Sequence, residues 1–176
     1  QINHIDLATD NIGNGILAWI ESGTPYTMKF HKLNEYMEES STVLATNLAN
    51  TSDRLSLSIN NKGSGMTFYT GNFGGPTKDI KAMALTNYTN TGSETVFATA
   101  TNKLMNKPQV IVNNNGNGLV IWDSNKDVAK KNLYGRKITN YGLPSDPFTD
   151  GMSLYRQDNI HHENARMSLN GKGSGM

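Results

Sequence analysis

The feature that most constrains this chain is a short motif written four times. It reads Asn11-Ile12-Gly13-Asn14-Gly15, then Asn61-Lys62-Gly63-Ser64-Gly65, then Asn114-Asn115-Gly116-Asn117-Gly118, and last Gly171-Lys172-Gly173-Ser174-Gly175. The first glycines of the Gly-x-Gly pairs, Gly13, Gly63, Gly116 and Gly173, lie 50, 53 and 57 residues apart. Asn and Gly between two apolar runs supply the positive φ that tight hairpin turns demand. A hairpin recurring every 50 residues or so predicts a fold built by repetition.

The flanks agree. Before each turn, apolar residues alternate with polar or small ones: Ile5, Leu7; Leu55, Leu57, Ile59; Val110, Val112; Met167, Leu169. A period of two predicts a strand with that apolar face buried. After each turn both parities are apolar or aromatic, as in Leu119-Val120-Ile121-Trp122. Such a strand is covered on both faces, inside a stack of sheets.

Composition narrows the class further. Charged residues make up 18% of the 176, the net charge is +1, and Asn, Ser, Thr and Gly carry the polarity. That suits a turn-rich β protein and gives no electrostatic case for a nucleic-acid partner. There is no cysteine, which excludes disulfides and thiolate chemistry. No apolar run approaches the roughly 20 residues of a membrane-spanning helix. The chain opens at Gln1 without a Met, a basic start or an apolar signal core, which predicts a processed product or a piece of something longer.

Taken in order, strands are expected at Ile5–Thr9, Ile16–Ile20, Tyr26–Leu33 and Thr42–Thr46, with Glu35–Ser40 as a polar loop. A second unit has Arg54–Ile59, Met66–Thr70, a Gly-rich break at Gly71–Pro76, Ile80–Thr86 and Thr95–Thr99. Thr95-Val96-Phe97-Ala98-Thr99 copies Thr42-Val43-Leu44-Ala45-Thr46 at an offset of 53, the spacing of Gly63 and Gly116. A third unit covers Gln109–Asp123, Leu133–Thr139 and Met152–Arg156, with longer connections at Ser124–Lys131 and Tyr141–Gly151. The reading is one domain over 1–176. Its repeat units run roughly 1–50, 51–104 and 105–164, and 165–176 starts a fourth.

Four strands per unit, repeated, match the blade of a β-propeller. The Gly-His and Trp-Asp signatures of WD40 blades, the paired-glycine motif of kelch repeats and the Asp of the sialidase Asp-box are all missing. The stretches Thr9 to Trp19 and Val112 to Trp122, with Ile59 to Tyr69 as a looser copy, resemble the blades of bacterial extracytoplasmic propeller-repeat proteins. These blades read as an apolar alternation, Gly-Asn-Gly, three apolar residues and Trp. The resemblance implies an all-β, propeller-like fold of about three four-stranded antiparallel blades plus one extra strand. It also implies a secreted or cell-surface location, and names no activity. Because propellers typically close with four to eight blades, the expectation is a partial propeller completed by self-association or by the remaining blades of a longer chain. A solenoid or sandwich of hairpins is the competing arrangement; it sets the Trp residues in a straight ladder.

Candidate sites follow from residue type. Trp19, Tyr69 and Trp122 share one repeat position, where a ring of sugar-stacking platforms competes with blade-to-blade packing. Loop residues Tyr141, Phe148, Asp146, Asp150 and Lys130, with Lys126 and Lys131, offer an apolar and charged contact surface, since loops on a repeating scaffold are where function gathers. Asp10-Asn11 with Asn14, and Asn113–Asn117, cluster oxygens but lack the carboxylate spacing of a calcium loop. His161-His162-Glu163 with Asp158 resembles metal ligands, but adjacent strand residues point to opposite faces. Glu35, Glu38 and Glu39 have the composition of a glycosidase acid–base pair without a setting that raises a pKa.

No cofactor, metal or catalytic set is expected. The functional expectation is a non-enzymatic module that recognises glycan or protein through its loops. The alternative is a propeller-type glycoside hydrolase or sialidase-like fragment, which needs carboxylates and some of Arg54, Arg136, Arg156 and Arg166 brought together.

Overall fold

The structure is a computed structural model that describes residues 1–23, 26–35, 37–48, 54–72, 78–90, 93–99, 105–124, 132–141, 152–155 and 166–168. Among them every regular element is a strand, and no helix is long and apolar enough to cross a membrane.

The strands form three antiparallel sheets, one per repeat unit. The first holds β1 (Ile2–Thr9), β2 (Gly15–Glu21), β3 (Tyr26–Asn34) and β4 (Met37–Leu48) in chain order. The second holds β5 (Leu55–Ile59), β6 (Gly65–Asn72) and β7 (Lys78–Thr86), and two short strands then share the far side of β7, β8 (Thr89–Asn90) and β9 (Thr95–Ala98). The third holds β10 (Met105–Val112), β11 (Gly118–Ser124), β12 (Asn132–Ile138) and β13 (Met152–Tyr155). The copied Thr-Val motif occupies matching places: Val43 pairs Lys29 in β4, and Val96 pairs Lys81 in β9. Glu35–Ser40 is corrected from a polar loop. Glu35 takes φ 48° in a tight turn, and β4 resumes pairing at Met37.

The hairpins fall where the glycines put them, with Gly13, Gly63 and Gly116 at φ 91°, 69° and 75°. Pairing starts at Thr9 with Gly15, Ile59 with Gly65, and Val112 with Gly118. This common register makes Ile5, Leu55 and Pro108 equivalent, and likewise Leu7, Leu57 and Val110.

Sheets dock face to face. Ile16, Ala18, Ile20, Met28 and Phe30 on the front of the first sheet pack against Leu55, Leu57, Ile59, Tyr69, Met83 and Leu85 on the back of the second. Met66, Phe68, Ile80 and Ala82 on the front of the second then pack against Val110, Val112, Val120, Trp122, Tyr134 and Ile138 on the back of the third. The middle sheet is thus covered twice, as its run of apolar residues at both parities requires. The back of the first sheet departs from expectation. Ile5 and Leu7 are 53% and 52% exposed, while their equivalents Leu55 and Leu57 are 1% and 6% exposed.

Candidate functional site

The edge strands β1, β5 and β10 come together side by side without forming a sheet; each instead lends a side chain to the next. Asp6 Oδ2 accepts the Leu57 N–H at 2.8 Å, and one unit on, Ser56 Oγ accepts the Val110 N–H at 3.0 Å. Ser58 Oγ accepts the Val112 N–H at 3.0 Å, and His4 Nδ1 accepts the Leu55 N–H at 3.4 Å. These N–H groups belong to sheet edges, and leaving them open would invite foreign strands. At the next position of the series the chain has Pro108, which has no N–H to satisfy.

This row of edge strands gathers charge. Burial lowers the pKa of His4, and the guanidinium groups of Arg54 and Arg166 lower it further. Burial raises the pKa of Asp6, opposed by the N–H groups of Leu57 and Leu7 and by Arg166. His4 is therefore a neutral imidazole whose Nδ1 is an acceptor, leaving Nε2–H as a donor. Both oxygens of Asp6 are committed to backbone, Oδ1 to Leu7 at 3.0 Å and Oδ2 to Leu57, which gives it a bracing role in place of acid–base work. Sequence reasoning did not bring Arg54 and Arg166 together. The signal was their place in the repeat, Arg54 just before β5 and Arg166 seven residues before Gly173, as Asp6 lies seven before Gly13.

The glycine turns form a second series. Asp10 Oδ1 accepts the N–H groups of Ile12 and Asn14, Asn60 Oδ1 those of Lys62 and Ser64, and Asn113 Oδ1 those of Asn115 and Asn117. Of the oxygens that sequence alone offered to a cation, Asp10 Oδ1 and Asn113 Oδ1 cap their own turns, while Asn14, Asn114 and Asn117 Oδ1 accept the N–H groups of Glu35, Asn61 and Asn140. Among the described residues no group of three His, Cys, Asp or Glu is placed to hold a metal.

The second and third turns are each closed by a tyrosine from the bend after the third strand of their sheet. Tyr88 and Tyr141 sit at φ 59° and 52°, and their N–H groups bond Gly63 O at 3.0 Å and Gly116 O at 2.8 Å. Their rings cover those glycines so closely that a Cβ at Gly63 would lie 2.6 Å from Tyr88, and one at Gly116 would strike Tyr141. Each hydroxyl then crosses to the preceding unit. Tyr88 donates to Asp10 Oδ2 at 2.5 Å, while the Asn60 side-chain amide donates to the Tyr141 oxygen. Burial would raise the Asp10 carboxyl, but the bonds from Tyr88, Ile12 and Asn14 outweigh it and hold its pKa below the ordinary value. Burial, and then Asp10, raise the Tyr88 hydroxyl; burial also raises Tyr141.

Tyr141, expected as the apolar handle of a ligand loop, is placed over Gly116 and linked to Asn60, as a clasp between two units. The three aromatic candidates are also enclosed. Trp19 stacks on His31 at 4.7 Å between centroids and donates Nε1–H to Glu21 at 2.9 Å. Tyr69 is fully buried with its hydroxyl on Glu94. Trp122 lies between Phe97 and Tyr134. None presents an open face for a sugar: the three are 8%, 0% and 1% exposed. Tyr69 and Trp122 pack between sheets, whereas Trp19 lies on the back of the first sheet, held by His31 and Glu21 of that same sheet. Phe148, Asp146, Asp150, Lys126, Lys130 and Lys131, with Asp158, His161, His162 and Glu163, lie outside the described residues, as do the side chains of Glu38 and Glu39.

In comparison with known proteins, no family model, no curated protein and no solved structure matches this chain.

Proposed function

We propose that the chain forms three consecutive blades of a propeller-like array with the start of a fourth, and serves as a non-enzymatic scaffold that recognises a glycan or protein partner. The observation that supports this most is the repeated junction. The same face of each successive sheet meets the same face of the one before, and the edge strands converge with Asp6 and Ser56 in equivalent roles. Convergent inner edges are what blades about a common axis require, whereas a straight ladder of hairpins has no such rim.

Recognition then falls to the loops and to the inner rim, where His4, Arg54 and Arg166 favour an acidic or hydroxyl-rich partner. Extracytoplasmic location fits the resemblance of the blades to bacterial extracytoplasmic repeats. A glycan array run beside a panel of chromogenic glycosides tests the reading. Retention on the array without glycoside turnover is expected, and turnover that Arg54→Ala abolishes would overturn it. Replacing residues 142–151 by a short Gly-Ser link, with Tyr141 kept, should leave the melting temperature nearly unchanged and weaken partner binding.

A further inference from the structure

In the first two units a glutamate meets the polar tip of the aromatic residue on the second strand. Trp19 Nε1–H donates to Glu21 at 2.9 Å, and the Tyr69 hydroxyl donates to Glu94. Each glutamate also pairs with the lysine opposite that aromatic, Lys29 at 2.8 Å and Lys81. The third unit breaks the series. Tyr134 lies opposite Trp122, in the place of those lysines, and Ser124 takes the place of Glu21. Trp122 Nε1–H has no acceptor among the described residues, although Trp122 is buried.

Asn132 lies beside it. Trp122 pairs Tyr134 and Ser124 pairs Asn132, so Trp122 and Asn132 are diagonal neighbours on the back of the third sheet, within side-chain reach. Asn132 is fully buried, and neither its Nδ2 nor its Oδ1 has a partner among the described residues. At Thr70 and Asp79 a single buried atom lacks a partner; at Asn132 both ends of an amide do. Burying an amide with neither bond made is costly, so such a group calls for a partner.

The three atoms define what that partner must be. Trp122 offers one donor, and Asn132 two donors and an acceptor. A carboxylate would satisfy the donors but set its charge against Oδ1, with no lysine at the Tyr134 position to offset its burial. An amide fits all three: its carbonyl accepts from Trp122 Nε1–H and Asn132 Nδ2–H, and its N–H donates to Asn132 Oδ1. The match is the same whichever way round the Asn132 amide is turned. Phe97 and Tyr134 flank Trp122 with an apolar wall that suits a methyl group.

We infer that the Trp122–Asn132 end of the third sheet takes the acetamido group of an N-acetylated sugar. Both residues are enclosed, so only that small group enters, held by the edge of the indole and not by its face. Asn132 opens β12, which puts the site at the end of the sheet, where the sugar ring stays outside. The inference deepens the glycan reading above and rests on it.

The chain has two tryptophans, so the indole region of a proton–nitrogen NMR spectrum holds two signals, which Trp122→Phe assigns. N-Acetylglucosamine should move the Trp122 signal saturably and leave that of Trp19, already bonded to Glu21, in place. Glucose and sodium acetate should move neither. Asn132→Leu should weaken sugar binding by about tenfold or more, the scale of a lost buried hydrogen bond, while raising the melting temperature by removing an unpaired amide. Where Asn132→Leu fails to fold, Trp122→Phe serves instead, with binding read from the Asn132 side-chain amide signal. No shift with the sugar, an equal shift with glucose, equal movement of both indoles, or full affinity in the variant would overturn the proposal. So would a response to a glutamine-containing peptide alone. An array that retains other glycans while the Trp122 signal stays still would reject this site and leave the scaffold reading standing.

Discussion

Leu57 and Leu7 occupy one repeat position on equivalent strands, yet one is 6% exposed and the other 52%. Nothing in their own strands explains the contrast, for each lies two residues after another aliphatic side chain and before the same kind of turn. The difference lies in what precedes them. Leu57 has a sheet in front of it, and Leu7 has none among the described residues. Burial here is a property of the junction between units, and stability is a sum of unit and junction terms, as in other repeat architectures.

The largest test of that contrast is a pair of truncations. Leu57→Ala should cost about 2–5 kcal/mol by denaturant unfolding, as a core leucine does. Leu7→Ala should stay within about 1 kcal/mol in the monomer. Equal costs would break the comparison. A smaller effect is expected from Tyr141→Phe, which keeps the ring over Gly116 but removes the link to Asn60 across the second junction. About 1 kcal/mol is the scale of one such bond. Combining it with Asn60→Ala should give less than the sum of the two, because they share that bond.

The smallest effect concerns pH at the first junction. His4 has its pKa lowered in the fold from an ordinary 6.5, so the unfolded chain binds the proton more readily. Its contribution is complete above pH 6.5 and is lost as pH falls through 6.5 toward the folded value. Asp6 has the opposite sign: its raised pKa means that protonation on acidification favours the fold. Asp10, with its pKa lowered from 3.8, holds its contribution above 3.8 and loses it as pH falls through the folded value. His4→Gln keeps an acceptor for Leu55 without titrating, so its stability curve should be flatter below pH 6.5 than that of the parent chain. Identical curves would remove His4 from the junction.

Much of the fold was legible because the glycine turns set the register and the apolar parity set the faces. Three things were not. Ser56, Ser58 and Asp6 read as the solvent side of an alternating strand, but they face another strand's N–H groups, and alternation cannot tell water from a polar neighbour. Ile5 and Leu7 read as buried by the same rule and are open, because parity names a face and not its cover. The tyrosine clasp left a trace in Asn87-Tyr88 and Asn140-Tyr141, again 53 apart. It was hidden because a tyrosine at positive φ is uncommon and the pair reads as the end of a strand.

The central claim is that consecutive units are joined by side chains of one edge strand accepting the N–H groups of the next. Amide hydrogen exchange on Ser56→Ala/Ser58→Ala measures this directly. The account predicts that exchange at Val110 and Val112 quickens by about tenfold, the equivalent of one hydrogen bond each, while Ile111, between them on the same strand, is unchanged. Unaltered exchange at Val110 and Val112 would contradict it.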